Sequence, residues 1–236
     1  MLRRDRPGRA GLCDSGGMEE TMRSRKQELR RQLRSRRAAA YAGEEGAARR
    51  LQEAQQLLAH AAPLITEIEH AVQRAAAEGA APPLVAAYHP TPSEADVLPL
   101  ARRLARAGAR IVFPAAAGAE LEWISWDGES PFEDSPGRGF GKEPTGERLG
   151  TRALEEAALV LAPAVAVDRS GTRIGHGAGY YDRALSTLPD GARIVAVINP
   201  GELLPSGSLP REEHDVPIPE VLTGAGLVSL VTSAPS

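Results

Sequence analysis

A glycine-rich run in the last third of the chain has residue types that could bind an anion: Arg173-Ile-Gly-His-Gly-Ala-Gly-Tyr-Tyr-Asp-Arg183. Its three glycines alternate with other residues, so side chains do not block the backbone from approaching a ligand. The run opens a predicted helix, whose N-terminal amides and dipole favour an anion. Arg173 and Arg183 can add charge-assisted hydrogen bonds to phosphate oxygens. Since the spacing is neither G-x-G-x-x-G nor the Walker P-loop, a phosphate loop and a purely structural turn remain equal alternatives.

The three residues that follow the glycines each have two interpretations. Tyr180 can stack on a ring or hydrogen-bond a ligand, but either it or Tyr181 can also simply pack the start of the helix. Asp182 falls in the first helical turn, where a carboxylate is favourable for dipole reasons without any metal. Pattern alone therefore does not separate a binding role from a structural one.

Four buried strands are predicted to position this loop: Leu84–Tyr88, Arg110–Pro114, Ala158–Ala162 and Ile194–Ile198. The helices predicted between and around them are Glu44–Ala62, Leu64–Gly79, Ser93–Ala107 and Gly179–Leu188. This alternation predicts an α/β fold, in one domain with a mostly parallel sheet covered on both faces. Ligands of such sheets bind beyond the carboxyl ends of the strands.

A helix is also predicted before these elements. Ser24 followed by Gln27 is a capping-box pattern, which predicts that the helix begins near Ser24. Leu29 and Leu33 lie one turn apart and are expected to face the core. Basic residues at spacings of three and four form a stripe on another face: Lys26, Arg30, Arg34 and Arg37. Such a stripe is usually a solvated surface.

Other helices and one long connection carry further predictions. The helix Glu44–Ala62 contains Leu51, Leu57 and Leu58. In the next, Ser93 with Asp96 is expected to cap the N-terminus. Its inward side chains are predicted to be Val97, Leu100, Ala101 and Leu104, with Gly108 as the C-terminal glycine. Gly128–Gly150 is polar, rich in Gly and Pro, and too long for an idle connection, so it is predicted to be a functional or mobile loop.

Composition narrows the classes of protein that fit. A net charge of −3 and a pI near 6.0 argue against a dedicated nucleic-acid binder, although basic residues crowd the first 50 positions. No apolar run reaches the roughly 20 residues that a membrane span needs. The single cysteine, Cys13, excludes an internal disulfide and fits a reducing cytoplasm. Residues 1–22 contain no signal-peptide core and are expected to be a disordered extension.

The glycine run resembles the signature of the 5-formyltetrahydrofolate cyclo-ligase (methenyltetrahydrofolate synthetase) family. Other pieces resemble the same family in the same order: Lys26-Gln-Glu-Leu-Arg30, Tyr88 with Glu94, Phe140-Gly-Lys-Glu-Pro144, Asp168-Arg169 and His214-Asp215. The likeness runs from about Ser24 to Thr223. Departures are His176 and Ala178 at variable positions, Val167 in place of a phenylalanine, and a long segment Pro63–Pro82.

The resemblance implies a single three-layer α/β domain over residues 23–232, Rossmann-like and of the NagB/RpiA/CoA-transferase-like type. It also implies conversion of 5-formyltetrahydrofolate to 5,10-methenyltetrahydrofolate with hydrolysis of MgATP to ADP and phosphate. The γ-phosphate would activate the formyl oxygen, the neighbouring folate amine would attack the formyl carbon, and phosphate would leave. Such a reaction needs positioning, positive charge around the phosphoryl group and a bridging metal.

Site residues follow from the resemblance. The catalytic residues it implies are Lys26, Arg30, Arg173 and Tyr180. The residues implied for ATP are Lys26, Arg30, Arg173, Ile174, Gly175, His176, Gly177, Ala178, Gly179, Tyr180 and Tyr181. Those implied for the folate are Glu94, His176, Gly177, Ala178, Gly179 and Tyr180. Asp182 and Asp215 are the implied Mg²⁺ ligands. Arg34 and Arg37 are interpreted as surface residues, and His176 as a loop residue rather than a general base.

Alternatives to this enzyme come from other classes. A non-catalytic member of the fold could bind nucleotide or folate without turnover, but the five polar residues Lys26, Arg30, Glu94, Asp182 and Asp215 are all present. A dinucleotide-dependent oxidoreductase would need an acidic residue at a strand end about 20 residues past the glycines, and this is lacking. A nucleic-acid binder lacks interleaved aromatics. The predicted state is a monomer that acts on small molecules, in the cytoplasm, with neither nucleic acid nor membrane as a partner.

Overall fold

The computed structural model describes residues 15–136, 141–212 and 215–230. The helices of these segments are α1 (Ser15–Ala40), α2 (Gly43–His60), α3 (Ala62–Glu78), α4 (Leu98–Arg106) and α5 (Tyr180–Leu185). The strands of the main sheet are β1 (Leu84–Ala86), β2 (Arg110–Ala117), β3 (Glu120–Trp126), β6 (Ala157–Pro163), β9 (Arg193–Val197), β11 (Glu220–Thr223) and β12 (Gly226–Ser229). Shorter strands are β4 (Phe132–Asp134), β5 (Lys142–Pro144), β7 (Ala166–Asp168), β8 (Arg173–Ile174) and β10 (Leu203–Leu204).

The central sheet has the order β12-β11-β9-β6-β1-β2-β3. Its inner pairs β2–β1, β1–β6, β6–β9 and β9–β11 are parallel, whereas the outer strands β3 and β12 pair antiparallel with their neighbours. The prediction of an α/β fold with a mostly parallel sheet is therefore confirmed. Strands buried on both faces explain the near-continuous apolar runs of β1 and β6.

Alternate residues of the strands feed two hydrophobic cores. Val85 of β1 packs with side chains from α2, α3 and α4, whereas its neighbours Leu84 and Ala86 point to the opposite face. That opposite core holds Trp123 of β3 and Leu185 of α5. Helices consequently cover both faces, as the three-layer prediction requires. A third, smaller cluster joins Leu33 of α1 to the three-stranded sheet β10-β7-β8.

Two local predictions about helix starts are wrong. The first helix does not begin near Ser24 but continues back to Ser15, within the extension predicted to be disordered. Ser93 does not cap α4, which begins at Leu98. Instead Asp96 accepts the Leu98 amide through its side chain. Residues 1–14 lie outside the described residues.

The inward face predicted for α4 is confirmed. Val97, Leu100, Ala101 and Leu104 are all fully buried. Gly108 follows the helix with a φ of +98°, a conformation for which glycine is preferred. The segment predicted as a functional or mobile loop, Gly128–Gly150, contains the hairpin of β4 and β5. Phe140 within it lies outside the described residues. None of the helices described is both long and apolar enough to cross a bilayer.

Candidate active site

A cavity of about 640 Å³ opens at the carboxyl ends of the central strands. Tyr88 and His89, which follow β1, form one wall, and Pro163 at the end of β6 lies between them and the glycine run. The middle of α1, from Arg23 to Arg30, forms another wall, and Lys142 of the β4–β5 hairpin reaches the rim. The cavity therefore lies where ligands of parallel α/β sheets bind.

All but one of the predicted site residues line this cavity. These residues are Lys26, Arg30, Glu94, Arg173, Gly175, His176, Gly177, Ala178, Gly179, Tyr180, Tyr181, Asp182 and Asp215. The exception is Ile174, whose side chain is 1% exposed and packs with Leu33 and Val165 in the third core cluster. The Ile174 side chain therefore faces a core cluster and not the cavity, whereas the prediction had placed it with the ATP residues. It is the apolar anchor of the loop, because its side chain alternates in direction with that of Arg173 on a strand.

Arginines hold three carbonyl groups of the glycine loop. Arg30 donates through Nε to the Gly175 carbonyl at 3.0 Å. Arg34 donates through Nη2 to the His176 carbonyl at 2.9 Å, and Arg183 to that of Ala178 at 3.2 Å. Gly177 adopts a φ of +107°, which the absence of a Cβ permits. The loop is thus fixed by side chains from α1 and α5, and its residues from Gly175 to Gly179 line the cavity.

The helix after the loop is shorter than predicted. It spans Tyr180–Leu185 instead of Gly179–Leu188, with Gly179 as its N-cap at a φ of +68°. The Tyr180 hydroxyl donates to the Gly118 carbonyl in the turn between β2 and β3, at 2.9 Å. A helix of six residues has only a small dipole, so charged side chains must provide most of the attraction for an anion.

Tyr181 and Arg173 form the floor behind the loop. Tyr181 packs edge-on against Trp123, with ring centroids 6.4 Å apart, and burial raises the pKa of its hydroxyl. The Arg173 guanidinium lies 5.9 Å from the Tyr181 ring and pairs with Asp182. Within the described part of the chain, Nε of Arg173 and the hydroxyl of Tyr181 are buried without a hydrogen-bond partner. Unpaired buried donors of this kind are what a ligand or water would satisfy.

Lys26 joins the first helix to the C-terminal segment. Its Nζ lies 2.6 Å from Oε2 of Glu212 and 2.7 Å from Oδ2 of Asp215. The Lys26 side chain is only 6% exposed, so the charges interact in a partly desolvated environment. Arg30 lies one helical turn further along, where burial and then the charge of Arg34 lower its pKa.

The donor set for a metal consists of two carboxylates. Asp182 uses one oxygen for Arg173, and Asp215 uses one for Lys26. The other oxygen of each accepts no hydrogen bond from the residues that the structure describes. These residues contain no cluster of three or more His, Cys, Asp and Glu side chains suited to a metal. Two carboxylates fit Mg²⁺ better than most metals, because it binds few protein ligands and takes the rest from waters and substrate phosphates.

Glu94 is a buried carboxylate with its own set of charged partners, His176 and Arg37. Its Oε1 is 2.8 Å from Nε2 of His176 and 3.3 Å from Nη1 of Arg37, and its Oε2 accepts the Thr91 amide at 2.8 Å. Burial alone would raise the pKa of Glu94. The hydrogen bond from His176, the charge of that ring when protonated, the Thr91 amide and Arg37 outweigh burial and lower the pKa to about 2.

Arg37 is not a surface residue, contrary to its interpretation from the sequence. It is 6% exposed, and its Nε lies 2.5 Å from Oε1 of Glu202. Its Nη2 donates to the carbonyls of Ala164 and Val165 at 2.6 and 3.1 Å. The charge of Glu202 stabilises the protonated guanidinium against the effect of burial and raises the pKa of Arg37. Each residue of the stripe therefore contacts a site residue, although only Lys26 and Arg30 line the cavity.

Sequence reasoning also missed residues that complete the site. Glu212 shares Lys26 with Asp215, and His89 packs against Phe132 of the hairpin with the two rings tilted and their centroids 4.7 Å apart. Burial and then the charge of Lys142 lower the pKa of His89. Glu202 had a detectable signal, because Asn199 followed by Glu202 is a capping box, and both of its hydrogen bonds are formed. No local pattern marks Glu212, since its partner is 186 positions away.

Comparisons with known proteins agree with this architecture. The family model described as "5-formyltetrahydrofolate cyclo-ligase family" matches residues 22–224. The chain belongs to the 5-formyltetrahydrofolate cyclo-ligase family. A protein of Mycolicibacterium smegmatis named 5-formyltetrahydrofolate cyclo-ligase is 38% identical over 151 residues, which cover 62% of this chain and 76% of that one. The protein of the same name from Escherichia coli K12 is 29% identical over 59% of this chain and 76% of its own.

Two solved structures have the same fold as this chain. The 5,10-methenyltetrahydrofolate synthetase of Aquifex aeolicus superposes with a TM-score of 0.65 at 24% identity, over 89% of this chain and 95% of that one. The synthetase of Mycoplasma pneumoniae gives a TM-score of 0.62 at 17% identity, over 84% and 98%. At these identities the likeness establishes the α/β architecture of the cyclo-ligase family member, and its site must be argued from its own residues.

Proposed function

We propose that this chain converts 5-formyltetrahydrofolate to 5,10-methenyltetrahydrofolate with MgATP as the phosphoryl donor. The observation that carries the proposal is a single cavity lined by two separate sets of charge contacts. Lys26 pairs with Asp215 and Arg173 pairs with Asp182, whereas Glu94 contacts His176 and Arg37. Cations beside carboxylates suit a nucleotide phosphate with its metal, whereas a buried carboxylate suits the N–H donors of a heterocycle.

The chemistry runs in two steps that share this cavity. The formyl oxygen attacks the γ-phosphorus of ATP, the bond to the β-phosphate oxygen breaks, and ADP leaves. The neighbouring folate amine then attacks the activated formyl carbon, loses its proton, and expels the former formyl oxygen as part of phosphate. Each step redistributes negative charge on phosphoryl oxygens and requires reactants held in line, which positioning and electrostatics supply.

The cationic residues have distinct roles in this scheme. Lys26 is fixed by Glu212 and Asp215, so its ammonium is already oriented when the phosphates arrive. Arg173 is fixed by Asp182 and retains an unpaired Nε. Asp182 and Asp215 would hold Mg²⁺, which would supply positive charge to offset the negative charge of the phosphates. Tyr180 and the loop from Gly175 to Gly179 would form the wall shared by nucleotide and folate.

The proposal also covers the extent of the catalytic domain, the oligomeric state and the location of the protein. We propose that residues 23–232 form the catalytic domain and that the protein acts as a monomer on small molecules in the cytoplasm. Among the described residues only Leu51 and Leu149 are large apolar side chains that are exposed, which offers no continuous surface for a stable partner or a membrane. Light scattering of the purified protein would test the monomer.

The decisive experiment mixes the protein with MgATP and 5-formyltetrahydrofolate and follows the near-ultraviolet absorbance of the methenyl product. We expect product and ADP to form in equal amounts. Folded protein that binds ATP but makes no product would reject the enzyme and support the non-catalytic alternative. Asp182→Asn should raise the Mg²⁺ concentration needed for half-maximal rate, with Asp190→Asn, an exposed aspartate outside the cavity, as control. Unchanged Mg²⁺ dependence would remove Asp182 from the metal site.

A further inference from the structure

His176 is held through both of its ring nitrogens. Nδ1 lies 3.0 Å from Nη2 of Arg34, and Nε2 lies 2.8 Å from Oε1 of Glu94. Arg34 also donates to the His176 carbonyl at 2.9 Å. The residue therefore bridges Arg34 of the first helix and the carboxylate of Glu94, which lines the cavity. Nearly half of the His176 side chain is exposed, so burial does not account for its position.

The partners determine which nitrogen carries the proton. A guanidinium has only donors, so the contact with Arg34 is a hydrogen bond only if Nδ1 is unprotonated and accepts it. A neutral imidazole with an accepting Nδ1 carries its proton on Nε2. That N–H then points at Glu94, whose carboxylate accepts it. Protonating both nitrogens would set a cationic ring against the guanidinium of Arg34.

We propose that Arg34 and His176 are positioning residues that orient Glu94 for the folate, with Arg34 selecting the neutral His176 tautomer that is protonated on Nε2. The role of the pair in folate binding rests on the proposed function, whereas the tautomer of His176 does not. Oε1 of Glu94 is taken up by His176 and Arg37, and the backbone amide of Thr91 occupies one position on Oε2. A carboxylate oxygen has two lone pairs, so Oε2 retains one for a donor of the pterin ring.

Arg34 and His176 act on a different ligand from the residues that are proposed to contact the phosphates. Arg34 does not line the cavity, and it acts on Glu94 only through the imidazole. Removing the contacts that join Arg34, His176 and Glu94 should therefore raise KM for 5-formyltetrahydrofolate much more than KM for ATP. A structural role in holding the loop would instead weaken the binding of both ligands, because the loop also contacts Arg30 and lines the same cavity as Lys26.

The first test is spectroscopic and needs no turnover. In ¹⁵N-labelled protein, a long-range ¹H–¹⁵N correlation spectrum distinguishes protonated from unprotonated ring nitrogens of histidine. The His176 signals are assigned by their loss in His176→Gln. We expect an unprotonated Nδ1 and a protonated Nε2 at neutral pH, and a mixture of tautomers in Arg34→Met. A doubly protonated ring, the opposite tautomer, or a spectrum unchanged in Arg34→Met would overturn the inference.

The second test is kinetic. His176→Phe should raise KM for 5-formyltetrahydrofolate about tenfold, the scale expected for one hydrogen bond to a charged group, and change KM for ATP less than twofold. His176→Gln, whose amide can donate to Glu94, should recover part of the loss. Arg36→Met, an exposed arginine of α1 outside the cavity, is the control. Equal increases in both KM values would show a structural role, and no rescue by glutamine would reject the hydrogen bond.

The two tests also separate this inference from the proposed function. If no methenyl product forms, the enzyme proposal fails, while the tautomer stands or falls by NMR. If product forms and the tautomer is wrong, only the positioning roles of Arg34 and His176 are lost.

Discussion

Nζ of Lys26 lies 2.7 Å from Oδ2 of Asp215, although 189 positions separate the two residues. The pair closes the cavity between the first helix and the C-terminal segment, and the same oxygen of Asp215 accepts the Glu212 amide at 2.7 Å. A predicted phosphate ligand and a predicted metal ligand thus hold each other in place. The contact joins the first helix and the C-terminal segment at the wall of the cavity.

Replacing Lys26 by methionine should abolish most activity. The variant keeps the apolar stem but removes the cation near the phosphates and leaves Glu212 and Asp215 to repel an anion. We expect kcat/KM to fall about 100-fold or more, as for other groups that stabilise a developing charge. Steady-state rates at saturating Mg²⁺ measure it.

The controls for Lys26 separate charge from geometry. Lys26→Arg keeps the charge but cannot place a compact ammonium between two carboxylates, so it should recover only part of the rate. Arg25→Met removes a cation from the adjacent, exposed position and should leave the rate unchanged. If Arg25→Met were as damaging as Lys26→Met, general electrostatic attraction would replace a specific contact as the explanation.

The sequence was sufficient for the fold and for most of the cavity lining. Periodic apolar runs identified the central strands, because a parallel sheet buried on both faces leaves few polar positions to confuse the pattern. The glycine run identified the loop. Ile174 shows the limit of motif reasoning, since a residue inside a binding motif can face the core when the motif includes a strand.

Arg37 shows what the sequence could not reveal. Its position on the basic stripe was visible, but its burial depends on Glu94 and Glu202, which lie 57 and 165 positions away. A charged residue is rarely buried without such partners, and partners brought together by the fold leave no local pattern.

Arg37→Met should destabilise the protein more than any exposed arginine variant. It leaves two mostly buried carboxylates without their cation and two carbonyls without their donor, and removing one partner of a buried pair costs about 3 kcal/mol or more. Urea unfolding measures the loss. The double variant Arg37→Met with Glu202→Gln should lose less than the sum of the single variants. Additive losses would show that the two side chains do not interact.

The glycine loop offers a matched pair of substitutions. Gly177 has a φ of +107°, and a Cβ there would lie 3.5 Å from the Arg30 guanidinium. Gly175 has no positive φ, and a Cβ would meet only Arg173 at 3.7 Å, an ordinary contact. We expect Gly177→Ala to cost about 1 to 2 kcal/mol of unfolding free energy, and Gly175→Ala to be neutral or slightly stabilising.

Urea unfolding of both alanine variants checks the difference. Equal losses would show that the loop does not keep the backbone conformation described for Gly177. A loss confined to Gly177→Ala would show that conformation, rather than space, is what requires glycine at this position. The comparison is independent of catalysis, since it uses only the free energy of unfolding.

The depressed pKa of Glu94 predicts how stability depends on pH. The group has a pKa of about 2 in the folded protein and an ordinary value of 4.5. Between these values the unfolded chain binds more protons, so stability falls as the pH falls. The ionised carboxylate contributes about 3 kcal/mol of unfolding free energy above pH 5, and this contribution is lost as the pH falls through 4.5 towards 2.

Glu94→Gln removes the titrating group but keeps an acceptor for the Thr91 amide. The difference in unfolding free energy between wild type and Glu94→Gln should therefore shrink to about 1 kcal/mol at pH 3. A difference that stayed constant from pH 7 to pH 3 would mean that Glu94 has an ordinary pKa and that its contacts with His176 and Arg37 do not stabilise the charged form.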